Sequence, residues 1–180
     1  VDRSRGLGDV YKRQVENNDD IKKLEISSPE VAYVTQTTLS VDETRELINS
    51  LKEKFPGIIG PSADDICYAT QNRQDAVKQL SLECQIVLVI GSQTSSNSNR
   101  LKELAEKCGT KSFLIDDKTD IDLNSLKDAT SVGITAGASA PEEIVQEVIS
   151  FLVPLGFKTV RNLSENNENM TFKLPKELTS

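Results

Sequence analysis

Three observations predict an α/β fold built on a mostly parallel sheet. Apolar strand-like runs alternate with amphipathic helical stretches in four successive strand–loop–helix units. One run, CQIVLVI (84–90), is continuously apolar, the mark of a strand buried on both faces by helices. The connections after these runs share a polar chemistry: TQTTLSVDET (35–44), DDICYATQNRQ (64–74), GSQTSSNSNR (91–100) and GITAGASAP (133–141). In an open parallel sheet such loops gather at the carboxyl ends of the strands, where ligands bind.

The elements follow in order. VAYVTQ (31–36) alternates and is rich in β-formers, so it reads as a strand. Ser40 is placed to cap the next helix, with Glu43 completing a capping box. Leu47, Ile48, Leu51 and Phe55 give that helix an apolar stripe, and Pro56-Gly57 stops it. A short entry at IIG (58–60) leads through Cys67 to a helix near 70–81, with Ala76, Val77 and Leu80 facing the core. After the strand at 84–90, Leu101, Leu104, Ala105 and Cys108 keep helical spacing. SFLID (112–116) is the next strand. TSVGIT (130–135) leads to a helix with Ile144, Val145, Val148, Ile149 and Leu152 on one face. Ser139 and Glu142 are spaced as a second capping box, and Pro141 suits a first helical turn. The tail FKTVRNL…NMTFKLP (157–175) reads as two short strands around a polar turn at Asn166-Asn167.

Composition narrows the chemistry. A length of 180 residues accommodates one large or two small domains, and 37% hydrophobic content supports a modest core. The net charge of -7 argues against a general nucleic-acid backbone clamp. No run is long and apolar enough for a membrane span, and none reads as a secretory signal. Cys67, Cys84 and Cys108 form an odd set without CxxC spacing, which fits a reducing, cytoplasmic setting. Histidine is absent, so the commonest acid–base residue and the commonest zinc ligand are missing. Residues 1–14 lack any apolar period and read as a leader foreign to the fold. Their last part, DVYKRQ (9–14), is also what the end of a sequencing-library transposon encodes when translated.

The loops point to an anion. A helix amino terminus carries partial positive charge and unsatisfied N–H donors, so it holds phosphate without lysine. Ser95, Ser96, Asn97 and Ser98 precede Leu101 in such a position, and Ser139 follows the permissive Gly137. Gln36, Thr37 and Thr38 add a third polar set. Any one loop alone reads first as a capped helix start with solvated serines; the gathering of all of them favours a ligand site. Cys67 alone reads first as a small buried hydrophobe, but Asp64, Asp65, Thr70, Asn72 and Arg73 make polar surroundings for it. Cys84 and Cys108, on apolar runs, read as packing residues.

TQTTLSVDET, DDICYATQNRQDAV, GSQTSSNSNRLKELAE and GITAGASAPEEIVQEVI resemble, in the same order, the carboxyl half of the 4-hydroxy-3-methylbut-2-enyl diphosphate reductase family. The resemblance covers roughly residues 15–180. It implies an incomplete version of a fold with three similar α/β domains. Residues 15–63 would be part of the second, 64–153 the third, and 154–180 a tail with short strands. It also implies roles. Cys67 looks like the third of three cysteines holding a [4Fe–4S] cluster, for which thiolates are the usual ligands. Thr37 looks like the threonine that hydrogen-bonds the substrate hydroxyl and helps deliver a proton. Ser95, Ser96, Asn97 and Ser139 look like the pocket for the diphosphate of an allylic substrate. The implied reaction is a reductive dehydroxylation giving isopentenyl and dimethylallyl diphosphate, with electrons from a ferredoxin- or flavodoxin-type donor.

The departures define the expectation further. The family also uses two earlier cysteines, diphosphate-binding histidines and a proton-donating glutamate, in motifs this sequence does not contain. The chain therefore reads as a fragment that does not catalyse alone. Two other readings stay open: a non-redox phosphate or sugar-phosphate binding module, and a chain that pairs with a separate subunit carrying the missing motifs.

Overall fold

A computed structural model describes residues 12–28, 30–61 and 65–163. Its centre is a three-stranded parallel sheet in the order β2-β1-β3, with β1 Ile86–Ile90, β2 Lys111–Ile115 and β3 Val132–Ala136. Ile86 stands opposite Lys111 on one side and Val132 on the other, and the register runs unbroken to Ile90.

Side chains alternate across a strand, and β1 uses this to bury both faces. Val87 and Val89 pack with Val77, Leu101 and Ala105 from α3 (Tyr68–Glu83) and α4 (Ser96–Lys107). Ile86, Leu88 and Ile90 pack with Leu126 of α5 (Leu123–Leu126) and with Val148 and Leu152 of α6 (Glu142–Leu152). All five β1 residues are buried, each contributing roughly 1.5–3 kcal/mol of transfer free energy. The result is a helix–sheet–helix sandwich, the α/β class predicted from the apolar run. The preceding segment adds α1 (Asn18–Lys23) and α2 (Val41–Lys54).

Several local expectations are corrected. The segment 31–36 is not a strand: it makes a single parallel bridge, Ala32 with Ile59. Beyond that bridge the Thr35 amide donates to the Asp65 carboxylate at 2.7 Å instead of to a neighbouring strand. The capping box at α2 is half formed. Ser40 Oγ accepts from the Glu43 amide at 3.5 Å, but the Glu43 carboxylate pairs with Lys107 rather than reaching back. A full box occurs at α1, between Asn17 and Asp20. The apolar stripe of α2 is only half-buried; its buried residue is Thr44. The helix expected near 70–81 is longer, running Tyr68–Glu83.

Ser139 does not cap α6. The cap position is Pro141, without a side-chain bond, so Ser139 lies too far before the first turn to reach its amides. Cys108 is exposed rather than packed, because α4 ends at Lys107 and the chain turns away through Gly109 at φ +84°. In the tail, residues 157–163 form no strand, and the rest of the expected pair lies outside the described residues.

Candidate functional site

The site is built where the chain reverses across the sheet. From β1 the chain leaves to α4 and β2 on one side, while β3, on the other side of β1, leads to α6 on the opposite face. The crevice between the carboxyl ends of β1 and β3 is therefore a topological switch point, the usual ligand position in open α/β sheets. Gly91 and Gly137 open the two loops there. The Gly137 amide donates to the Ile90 carbonyl at 2.8 Å, and the Gly91 amide to Ile115 at 2.9 Å. A buried hydroxyl, Ser98 Oγ, fills the space beside both: a Cβ on either glycine would come within 2.3 Å of it. Gly91 also has φ +155°, which disfavours a side chain independently.

Ser95 caps α4. Its hydroxyl accepts from the Ser98 amide at 3.3 Å and from Ser98 Oγ at 3.1 Å. The Asn99 carboxamide braces the incoming loop, donating to the carbonyls of Gln93 at 2.7 Å and Ser95 at 2.9 Å. Between them Asn97 is 7% exposed, and neither polar atom of its side chain has a hydrogen-bond partner. An unsatisfied buried amide costs about 1–3 kcal/mol, a cost that a hydrogen-bonding partner would offset. The first turn of α4 holds no carboxylate, unlike those of α1, α2 and α6. The helix dipole and free N–H groups there are thus left unopposed for an anion.

Hydrogen bonds join this end to two other loops. Thr38 Oγ1 and Ser96 Oγ lie 3.1 Å apart. The Cys67 amide donates to the Thr37 carbonyl at 3.1 Å, and Cys67, exposed, stands at the N-cap of α3. The first turn of α3 also lacks acidic residues, which favours a negatively charged group there. The fold thus brings Thr37, Cys67, Ser95, Ser96 and Asn97 to one edge. Ser139 is exposed in the turn after Gly137 at the same edge, and no hydrogen bond ties it to the others among the described residues.

Two contributors have partners that sequence reasoning did not find. Arg73 donates from Nε to the Ala136 carbonyl at 3.2 Å and from Nη1 to Ala69 at 3.0 Å, holding the end of β3 against α3. Gln74 is 2% exposed and bonds both to Leu39 and to Val41. Neither follows a sequence motif; only the polar character of 64–74 hinted at them. A groove along α6 and Lys118 is lined by Glu142, Glu143 and Glu147, which disfavour an anion.

The remaining cysteines are elsewhere. Cys84 stands at the C-cap of α3, so the helix puts it about 26 Å from Cys67, at the N-cap. Burial pushes the Cys84 thiol up from its ordinary value; Glu83 adds to this and Arg161 opposes it. Cys108 is likewise at the far end of its helix. Among the described residues no group of three His, Cys, Asp or Glu side chains could hold a metal ion. These residues on their own do not fit an iron–sulfur cluster; Cys67 offers one thiolate.

Against this geometry, residues 6–153 match the family model described as LytB protein. This chain belongs to the LytB family. The 4-hydroxy-3-methylbut-2-enyl diphosphate reductase of Saccharophagus degradans is 56% identical over 165 residues, covering 91% of this chain and 53% of that protein. The reductase of the same name from Alcanivorax borkumensis is 52% identical over 178 residues, covering 98% and 56%. Among solved structures, the E-1-hydroxy-2-methyl-but-2-enyl-4-diphosphate reductase from Plasmodium falciparum aligns with a TM-score of 0.82 and 35% identity. That alignment covers 91% of this chain and 52% of the Plasmodium chain. This LytB family chain spans about half the length of the curated relatives it matches. Its parallel sheet and flanking helices match the reductase fold.

Proposed function

We propose that this chain is part of a 4-hydroxy-3-methylbut-2-enyl diphosphate reductase and supplies the grip on the substrate diphosphate. The observation that carries the reading is the buried, unpartnered Asn97 carboxamide at the carboxylate-free amino end of α4. Ser95, Ser96 and Asn97 hold the diphosphate there, with Ser139 reaching it from the β3 loop. Thr37 faces the hydroxyl end of the allylic chain and hands on a proton. Cys67 is one ligand of the [4Fe–4S] cluster of the complete enzyme. Residues 15–63 and 64–153 are a partial second and a third α/β domain, followed by a tail at 154–180.

The reaction of the complete enzyme takes up two electrons and two protons, expels the allylic hydroxyl as water, and gives isopentenyl and dimethylallyl diphosphate. A ferredoxin- or flavodoxin-type donor in the cytoplasm provides the electrons. The cluster supplies electrons and a Lewis-acidic iron when bound, but the described residues do not assemble it. The isolated chain is therefore inactive.

Titration of the chain with pyrophosphate tests the grip. Binding should weaken at least about tenfold in Asn97→Leu, since a buried polar contact is replaced by an apolar one. Equal affinity in the two proteins sinks the assignment. Anaerobic reconstitution with iron and sulfide tests the incompleteness: a stable cluster absorbance from this chain alone contradicts it. A simple phosphate-binding module would also bind pyrophosphate. Cys67→Ala separates the two, abolishing cluster assembly in a complete reductase while leaving a phosphate module untouched.

A further inference from the structure

We propose that Gln74 is a positioning residue that fixes the Thr37 loop against the amino end of α3, and so sets the placement of Thr37 relative to Cys67. The proposal rests on the reading of Thr37 and Cys67 as members of one site.

The observations are geometric. Gln74 is 2% exposed on α3, about 10 Å along the helix axis from Cys67. Its Nε2 donates to the Leu39 carbonyl at 2.8 Å, and its Oε1 accepts from the Val41 amide at 3.0 Å. One carboxamide thus takes a donor and an acceptor on either side of Ser40, the α2 cap. The Cys67 amide adds a third bond, to the Thr37 carbonyl. Residues 37–41 are zipped to α3 at three backbone groups. Two of these bonds depend on one buried side chain. A glutamine is suited to this because it both donates and accepts; an apolar residue of the same length does neither.

The Lys78–Asp42 pair, 2.8 Å, and the Lys107–Glu43 pair join α2 to the same body, but both lie at exposed positions. Exposed pairs are weak and screened by salt. The buried carboxamide is the stronger constraint on the loop, and Thr37 is carried with it.

Amide hydrogen exchange on the full 180-residue chain tests the proposal with Gln74→Met and Gln74→Glu. Methionine keeps the volume and removes both bonds; glutamate keeps the acceptor for Val41. In Gln74→Met, protection should fall about tenfold or more at Val41 and Cys67, as two net bonds are lost. The β1 amides, Val87 to Val89, should keep theirs. Gln74→Glu should retain protection at Val41. Unchanged Cys67 protection in Gln74→Met overturns the proposal, because the clamp then does not reach the site. Equal loss across β1 also overturns it, because Gln74 then supports the core rather than the loop. Failure of the unsubstituted chain to bind pyrophosphate would overturn the diphosphate reading, while the exchange pattern still decides the role of Gln74.

Discussion

The main-chain N–H of Cys67 donates to the carbonyl oxygen of Thr37 across 3.1 Å. Residues from different strand–loop–helix units are thereby held edge to edge, with neither side chain spent on the contact. The thiol and the hydroxyl both remain available for a ligand. Four expected outcomes follow from this edge and from the fold that carries it.

The close fit of Ser98 between two glycines makes a sharp test. Gly137→Ala should destabilise the chain by about 1–3 kcal/mol in denaturant unfolding, because its new Cβ meets Ser98 Oγ at 2.3 Å. Adding Ser98→Ala should recover much of that loss, since the Ser98 Cβ lies 3.6 Å away, at ordinary contact. The same rescue should fail for Gly91→Ala, where the Ser98 Cβ is only 3.0 Å away and φ is +155°. Equal rescue at both positions would show that the hydroxyl is not the obstacle.

Asn97→Leu should trade binding for stability. Replacing an unsatisfied buried amide by an apolar group of similar size should raise the unfolding free energy by about 1–3 kcal/mol. Thermal melts with and without pyrophosphate measure both sides: a higher melting temperature alone, and a smaller ligand-induced rise. A variant less stable than the parent argues that the carboxamide is satisfied in the folded chain.

Cys84 should be the slowest of the three thiols to alkylate. Burial raises its pKa, with Glu83 contributing and Arg161 opposing, so the reactive thiolate is scarce. The sign for stability follows. The folded chain holds the thiol proton more tightly than the unfolded chain. Stability is undiminished below about pH 8.5 and falls as pH rises through the folded value. Denaturant midpoints across this range should decline more steeply for the parent than for Cys84→Ala. Parallel curves would remove Cys84 as the cause.

Asp42 gives an acid-side counterpart. The hydrogen bond from Lys78 lowers its pKa; burial opposes this, and the weaker effects of the Lys78 and Arg45 charges add to the lowering. Its contribution is present above about pH 4 and is lost as pH falls through the lowered value. The pair is exposed, so Asp42→Asn should cost no more than about 1 kcal/mol, and less in high salt. A larger, salt-independent loss would mean that the carboxylate does more than pair with Lys78.

Legibility in the sequence tracked the range of the interaction. β1 was readable because five consecutive apolar residues have only one economical use, a strand covered on both faces. α4 and α6 were readable from their spacing, and the polar loops from their position after strands. The strand at 31–36 was not, because pairing depends on a partner, and among the described residues only Ile59 pairs with it. The Ser139 cap failed on one local detail: with Pro141 at the cap, a serine two residues earlier is out of reach. The partners of Gln74 and Arg73 were silent because a long-range hydrogen bond leaves no period and no motif. Asn97 could be named from the sequence as a candidate, but its burial without a partner could be learned only from packing.

The Gly91–Ser98–Gly137 contact also bears on how this sequence can drift. A mutation to any larger residue at either glycine meets the serine at once, and at Gly91 the φ of +155° disfavours a side chain as well. Position 137 changes at least cost after position 98 has lost its hydroxyl, and that loss removes a bond to the Ser95 cap. The viable paths are therefore ordered: 98 first, 137 second, 91 last or never. In a lineage that keeps the ligand edge, the three positions should be inherited as a unit, and departures from it should appear at 137 only in company with a change at 98.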